Sequence, residues 1–231
     1  MLEIMEVTKL FTPTTGIQDI SITIPHGRIV AFVGPNGAGK STLFNILGRV
    51  LRPDSGSCIL NGVEHNSLHI SEIGFLPETL YMLDDFTPYQ MLHFMNTMRE
   101  TETSVSDIDY LISRFGINPY AQKKIKKLSR GMRKRVELVC TFIGNPKLIV
   151  LDEPLNSLDI QGVFAFKDMM NYCKERGNIV LLSSHILDFL DSAVDSVVFL
   201  KDGKIAEVCS DSTDRVEDIY RRHFNIFECP V

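Results

Sequence analysis

The sequence predicts an α/β fold, a core of buried strands interrupted by an inserted run of helices. Three observations predict it. Ile29-Val30-Ala31-Phe32-Val33 is an unbroken apolar run, the pattern of a strand in a sheet covered on both faces. From about Phe86 to Gly144 the periodicity is helical, with few strand signals. Beyond that stretch, buried strands at 147–151, 179–183 and 197–200 alternate with helical segments.

Taken in order, the elements have local causes. Ile20, Ile22 and Ile24 alternate with Ser21 and Thr23, which predicts a half-buried strand. Pro25-His26-Gly27 is a turn. The glycines of 34–40 break the strand pattern, and 41–51 reads as a helix with Leu43, Phe44, Leu47, Val50 and Leu51 on one side. Pro53-Asp54-Ser55-Gly56 ends it, and Asn61-Gly62 signals a hairpin. Met132, Val136, Val139, Cys140 and Ile143 recur at helical spacing and mark one amphipathic helix. Asp202-Gly203 makes a last hairpin turn, and the tail from Ser210 is polar, then helical, with no assigned role.

Composition narrows the class. A chain of 231 residues allows one large domain or two small ones. With 44% apolar and 23% charged residues it is not a largely disordered chain. The 24 basic and 29 acidic residues leave a charge of −5, which argues against a nucleic-acid protein. Cys58, Cys140, Cys173, Cys209 and Cys229 are odd in number, contain no close pair, and read as reduced, mostly packed thiols of a cytosolic protein. The N-terminus lacks the basic and apolar regions of a secretory signal. The apolar runs are far shorter than the ~20 residues that span a bilayer, so any membrane span belongs to another chain.

Gly34-Pro35-Asn36-Gly37-Ala38-Gly39-Lys40-Ser41 fits G-x-x-x-x-G-K-[ST], directly after an apolar strand and before a helix. The glycines let the backbone curl so that successive N–H groups point at phosphate oxygens, and the following helix adds its positive end. Lys40 supplies charge to the β- and γ-phosphates, and the Ser41 hydroxyl ligates Mg²⁺. The spacing of glycines 34, 37 and 39 does not fit the dinucleotide pattern G-x-G-x-x-G.

The strand at 147–151 ends in Asp152-Glu153-Pro154. Consecutive strand side chains point to opposite faces, which assigns the two carboxylates different roles, and at the carboxyl edge of a parallel sheet they face the ligand crevice. Asp152 is expected to hold Mg²⁺ through water. Glu153 is expected to act as general base on the attacking water, a role worth ~10²–10⁴-fold in rate.

With Leu128-Ser129-Arg130-Gly131-Met132, the set resembles the nucleotide-binding subunit of an ATP-binding cassette (ABC) transporter, over about residues 1–208. The commoner family signature has glycine at the Arg130 position and glutamine at the Met132 position. The resemblance implies a P-loop NTPase core with an N-terminal antiparallel β subdomain and an inserted α-helical subdomain. On that basis residues 1–78 and 147–209 form the catalytic core, 79–146 the helical subdomain and 210–231 a C-terminal tail. It also implies that ATP and Mg²⁺ are bound by Phe11, the loop Gly34, Pro35, Asn36, Gly37, Ala38, Gly39, Lys40, Ser41 and Thr42, and Glu78. Two such subunits pair head to tail, as a homo- or heterodimer, so that Ser129 and Gly131 reach the other subunit's γ-phosphate. Asn156-Ser157-Leu158-Asp159 resembles the loop that crosses this interface, and His185 the switch histidine at the γ-phosphate.

Phe11 stands where the family has a tyrosine stacked on adenine, and equally suits a core aromatic. Glu78, in Gly74-Phe75-Leu76-Pro77-Glu78, stands at the family's lid glutamine and is expected near the metal. Glu78 and the Ser-Arg-Gly-Met signature together resemble the branch that powers ABC-2-type exporters. The implied function is an ATPase at the inner face of the cell membrane, held there by a polytopic permease partner, with no nucleic-acid partner expected. A soluble ABC ATPase acting on a ribosome or nucleic-acid complex is the alternative. A guanine-nucleotide switch is disfavoured by the lack of an Asn-Lys-x-Asp motif, and a non-catalytic scaffold by the intact Lys40, Asp152, Glu153 and His185.

Three further features read as structural. Lys123, Lys124, Lys126, Lys127, Arg130, Arg133, Lys134 and Arg135 are taken as a solvated loop and helix face beside a polyphosphate site. His65 and His69 lack metal-ligand spacing and are taken as surface loop. Leu80-Tyr81-Met82-Leu83 is taken as core, with a groove that docks a membrane subunit as the alternative.

Overall fold

The computed structural model describes residues 1–101, 103–210 and 214–224; Cys229 and the other tail residues of 211–213 and 225–231 lie outside the described residues. The chain runs β1 (Leu2–Thr12), β2 (Thr15–Ile24), β3 (Ile29–Val33), α1 (Lys40–Leu47), β4 (Ser55–Leu60), β5 (Val63–Glu64) and β6 (Ile73–Leu76). The helices α2 (Pro88–Met98), α3 (Val105–Arg114) and α4 (Arg130–Phe142) follow. Then come β7 (Leu148–Leu151), α5 (Ile160–Glu175), β8 (Ile179–Ser183), α6 (Leu187–Ala193), β9 (Ser196–Lys201), β10 (Lys204–Ser210) and α7 (Val216–Phe224).

The strands form two sheets. One is antiparallel, in the order β2-β1-β4-β5. The other has the order β10-β9-β3-β8-β7-β6, parallel except for the β9–β10 hairpin. The continuous apolar runs follow from this layering. Val30, Phe32, Leu148, Val150, Ile179 and Leu181 face one core, shared with the antiparallel sheet and α1. Ala31, Val33, Ile149, Leu151, Val180 and Leu182 face the other, filled by α2 to α6. The pleat sends alternate residues to opposite faces, and both faces are dry, so these positions are all apolar.

Because β3, β6, β7 and β8 are parallel neighbours, their carboxyl ends share one edge. That edge collects the loop after Val33, the turn after Leu76, the Asp152-Glu153 pair and the segment after Ser183. Phe32 and Phe44 pack edge to face at 5.4 Å, clamping β3 to α1 on either side of the glycine loop. Such a pair adds about 0.5–1.5 kcal/mol beyond its buried area.

Several segments depart from the sequence expectation. The first helix stops at Leu47, not at 51, and Val50 is exposed. Gly48 lies against the Phe75 ring and Arg49 turns left-handed at φ 61°, so the chain leaves the helix there. His65 is buried, not part of a surface loop, and its Nε2 lies 2.7 Å from the Leu47 carbonyl at the end of α1. Lys134 is buried rather than solvated, 3.6 Å from Glu137. The rest of the basic run is largely ion-paired: Lys124 and Lys126 with Asp85, Arg133 with Asp84, Arg135 with Asp159. Of Leu80-Tyr81-Met82-Leu83, Leu80 and Met82 pack partly buried against the core, while Tyr81 and Leu83 are exposed along an apolar groove.

Other expectations match. The two hairpin turns take positive φ at Asn61 and Gly62 and at Asp202 and Gly203, as two-residue connections require. Cys58, Cys140 and Cys173 are buried free thiols, and burial pushes the last two up to about 12. Among the described residues no helix is long and apolar enough to cross a membrane.

Candidate active site

The carboxyl edge opens into a cleft of about 570 Å³ lined by the loop from Asn36 to Thr42 and by Glu78, Asp152, Glu153 and His185. Thr15, Gly16 and Asn156 complete the walls. Phe11 sits at the mouth, 56% exposed, so its core reading is overturned.

Gly39 caps α1 at φ 102°, and a Cβ there would stand 2.4 Å from Ile17 Cγ2. Only glycine brings the loop this close to β2 while turning it into the helix. Lys40 folds back and donates to the Gly34 carbonyl at 2.6 Å and to that of Pro35 at 3.1 Å. These two residues therefore hold the lysine and do not line the cleft. Burial holds the Lys40 ammonium below the usual lysine range, while Glu153, Asp152 and Glu78 pull it back up. All three carboxylates are thus electrostatically coupled to the loop's cation.

Asp152 and Glu153 both line this cleft, as the carboxyl edge of a parallel sheet predicts. The strand ends at Leu151, and Glu153 is left-handed at φ 48°, so the pleat no longer applies. A strained non-glycine backbone of this kind persists only where its surroundings impose it. Here Ser183 imposes it. Its hydroxyl donates to Asp152 Oδ1 at 2.6 Å and accepts from the Glu153 N–H at 2.8 Å. Asp152 is 4% exposed and Ser183 fully buried. In the sequence the sole signal of Ser183 is a hydroxyl ending an otherwise apolar strand. His185 Nδ1 lies 2.9 Å from Glu153 Oε2, with the imidazole largely exposed to the cleft.

The structure does not bring Ser129 and Gly131 to this cleft. They line a second pocket of about 370 Å³ with Tyr120, Met132, Arg135, Ser157 and Asp159. Ser129 caps α4, accepting from the Met132 N–H at 3.3 Å. Gly131 lies against the Ser157 carbonyl, where a Cβ would come within 2.8 Å. Arg135 donates to the Phe115 carbonyl at 2.8 Å and pairs with Asp159, which caps α5 through the Gly162 N–H. The Arg135 guanidinium and that N–H hold the Asp159 carboxyl below its usual range. The buried Tyr120 hydroxyl has no partner among the described residues.

Comparison with known proteins agrees with this geometry. Residues 17–156 match the family model described as ABC transporter. The lantibiotic transport ATP-binding protein SrtF of Streptococcus pyogenes is 31% identical over 229 residues, covering 99% of both chains. The uncharacterized ABC transporter ATP-binding protein MJ1023 of Methanocaldococcus jannaschii is 30% identical, over 96% of this chain and 80% of its own. A solved ATP-binding subunit of an ABC transporter superposes with a TM-score of 0.83 at 27% identity, covering 97% of this chain and 93% of its own. The ATP-binding cassette MJ0796, solved as a post-hydrolysis dimer with ADP and Pi, superposes at 0.77 and 21% identity, covering 91% of this chain and 98% of its own. A phosphate loop, an acidic strand end and a near full-length match of this kind lead to one assignment: the chain belongs to the ABC transporter family, as an ATP-binding subunit with ATPase activity.

Proposed function

We propose that the chain powers an exporter at the inner face of a membrane, working as a dimer of two copies coupled to a polytopic permease. The observation that carries this reading is the split between the two pockets. The cleft holds Lys40, Asp152, Glu153 and His185, while Ser129 and Gly131 open on a pocket of their own. Each copy then contributes a complete half of each site, and ATP is closed in only when two copies meet. Residues 1–78 and 147–209 serve as the catalytic core, 79–146 as the helical subdomain and 210–231 as the tail.

In this reading the adenine stacks on Phe11 and the phosphates rest on the amides of residues 34–42. Mg²⁺ suits the donor set, since Ser41, Asp152 and Glu78 offer hard oxygens in one cleft. When bound, it would neutralise charge on the phosphate oxygens. Glu153 accepts the proton of the attacking water, and His185, 2.9 Å away, orients that carboxylate. Ser129 and Gly131 of the partner subunit offer donors at a helix start to the γ-phosphate. The similarity to a lantibiotic transport protein supports export over a ribosomal or nucleic-acid role. The apolar groove along Tyr81 and Leu83 is the proposed seat of the permease.

Glu153→Gln tests the core of the proposal. It keeps the shape and loses the base, so turnover falls by about 10²–10⁴-fold. ATP binding persists, and light scattering in ATP finds a stable dimer. Unchanged kcat would assign the base elsewhere, and a strictly monomeric ATP-bound variant would overturn the paired site.

A further inference from the structure

The last helix of the described residues, α7, has no part in the mechanism above, yet each of its ends is bound to an element that shapes the cleft. Val216 and Ile219 are buried in the same core as Leu190 and Ala193 of α6. The first turn of α7 is tied to α6. Asp191 Oδ1 accepts at 2.8 Å from the Val216 N–H, one of the donors that a helix start leaves without an internal partner. Arg215, just before the helix, pairs with Asp188 at 2.5 Å and with Asp191 at 3.6 Å.

α6 begins two residues after His185. The buried Ser184 accepts from the Ile186 N–H at 3.0 Å, so His185 stands in a short link between the end of β8 and α6. A residue in so short a link takes its position from the elements at both ends. The last turn of α7 is tied to the β9–β10 hairpin. His223 pairs with Glu207, its ring stacks on Phe199 at 5.8 Å, and its carbonyl accepts from Lys201 at 3.0 Å. β9 lies beside β3 and backs the glycine loop: a Cβ on Gly34 would stand 2.3 Å from the Leu200 carbonyl oxygen.

One end of α7 thus holds the strand behind the phosphate loop, and the other holds the helix that follows His185. Its nine residues make a rod of ~13 Å, which joins the two without an intervening loop. The pair between Arg215 and Asp188 is largely exposed, and screened pairs of that kind are weak. The partly buried bond from Val216 to Asp191 and the burial of Val216 and Ile219 hold the helix in place.

We propose that α7 is a brace that sets the position of His185 relative to the phosphate loop, with Asp191 as the positioning residue at its α6 end. This rests on the reading of His185 given above and adds the element that places it. Asp191→Ala in the full chain tests it, since alanine keeps α6 helical and removes the tie to Val216 and Arg215. kcat should fall by about tenfold, as a misplaced group beside the reacting centre costs. KM for ATP changes little, because Phe32 and Phe44 still clamp the loop between β3 and α1. Asp191→Asn keeps an acceptor for the Val216 N–H and restores most of the rate. The deciding readout is a double-mutant cycle with His185→Ala. With the imidazole gone the brace has nothing to place, so Asp191→Ala should change kcat by less than about twofold in that background. An equal fall in both backgrounds would make Asp191 a merely structural residue and overturn the proposal, as would an unchanged kcat in Asp191→Ala alone. If His185→Ala itself leaves kcat unchanged, the role of His185 falls and this proposal with it. Should Asp191→Ala not fold, Arg215→Ala, at a largely exposed side chain, runs the same cycle to the same outcomes.

Discussion

The cleft at the sheet's carboxyl edge draws its side chains from four strand ends, whereas the pocket around Ser129 and Gly131 draws on one helix start and one loop. The cleft is held from behind by the two cores and internally by the Ser183 bridge between Asp152 and Glu153. The second pocket is held by a cap hydrogen bond at 3.3 Å and by Arg135, tied to the loop that follows Glu153. The difference is one of construction. A site that positions a water and a phosphate needs fixed geometry, and sheet ends provide it. A surface that must meet another copy gains from a loop-and-cap construction. Arg135 and Asp159 pair in the wall of the second pocket, Asp159 on the loop that continues from Glu153.

The largest expected effect comes from Lys40→Ala, which strikes the cleft. It removes a cation already aimed at the loop carbonyls, and both ATP affinity and turnover should fall, the latter by at least about 10²–10³-fold. Phosphate release and a nucleotide-binding titration measure it. Near wild-type activity would mean that the cleft is not the catalytic half.

Mixing breaks or sharpens the comparison next. Lys40→Ala and Ser129→Phe subunits should each be inactive alone, one damaged in the cleft and the other in the second pocket. Combined in equal amounts, half the dimers are mixed and each holds one intact composite site, so about a quarter of the wild-type rate returns. No recovery would show that two copies do not complete each other, and would point to a different partner subunit.

The parts of this comparison legible in the sequence are those written in consecutive residues. The glycine loop, the acidic strand end and the turn residues act through backbone conformation, which neighbours determine. Continuous apolar runs likewise announced a sheet dry on both faces. What stayed hidden depends on segments far apart in the chain. Ser183 matters only because β8 lies beside β7. His65 is buried because α1 ends where it does, and Arg49 turns because Gly48 meets Phe75. Lys134 is buried because Glu137, one turn along, partners it.

Ser183→Ala probes that hidden part directly. It removes a buried donor to Asp152 and a buried acceptor for the Glu153 N–H. The cost is about 1–3 kcal/mol, or a fall in Tm of about 2–12 °C for a chain of this length. kcat should fall with it while the KM for ATP stays, because the loop amides are untouched. An unchanged Tm would show that the strained Glu153 backbone is held by something else.

The smallest effect is expected where the two regions join. Asp159 does two things: its carboxylate caps α5 through the Gly162 N–H, and it pairs with Arg135. Asp159→Asn keeps the first and weakens the second, since Asn caps a helix as well as Asp does. The aspartate side chain is largely exposed, so the ion pair is screened and worth about 0–1 kcal/mol. Arg135 keeps its bond to the Phe115 carbonyl, which holds its place in the wall of the second pocket. The expected outcome is a Tm within about 4 °C of wild type and a near-normal ATPase rate in the homogeneous variant. A large loss of activity with an unchanged Tm would reverse the reasoning. The pair would then transmit the state of the second pocket to the loop after Glu153.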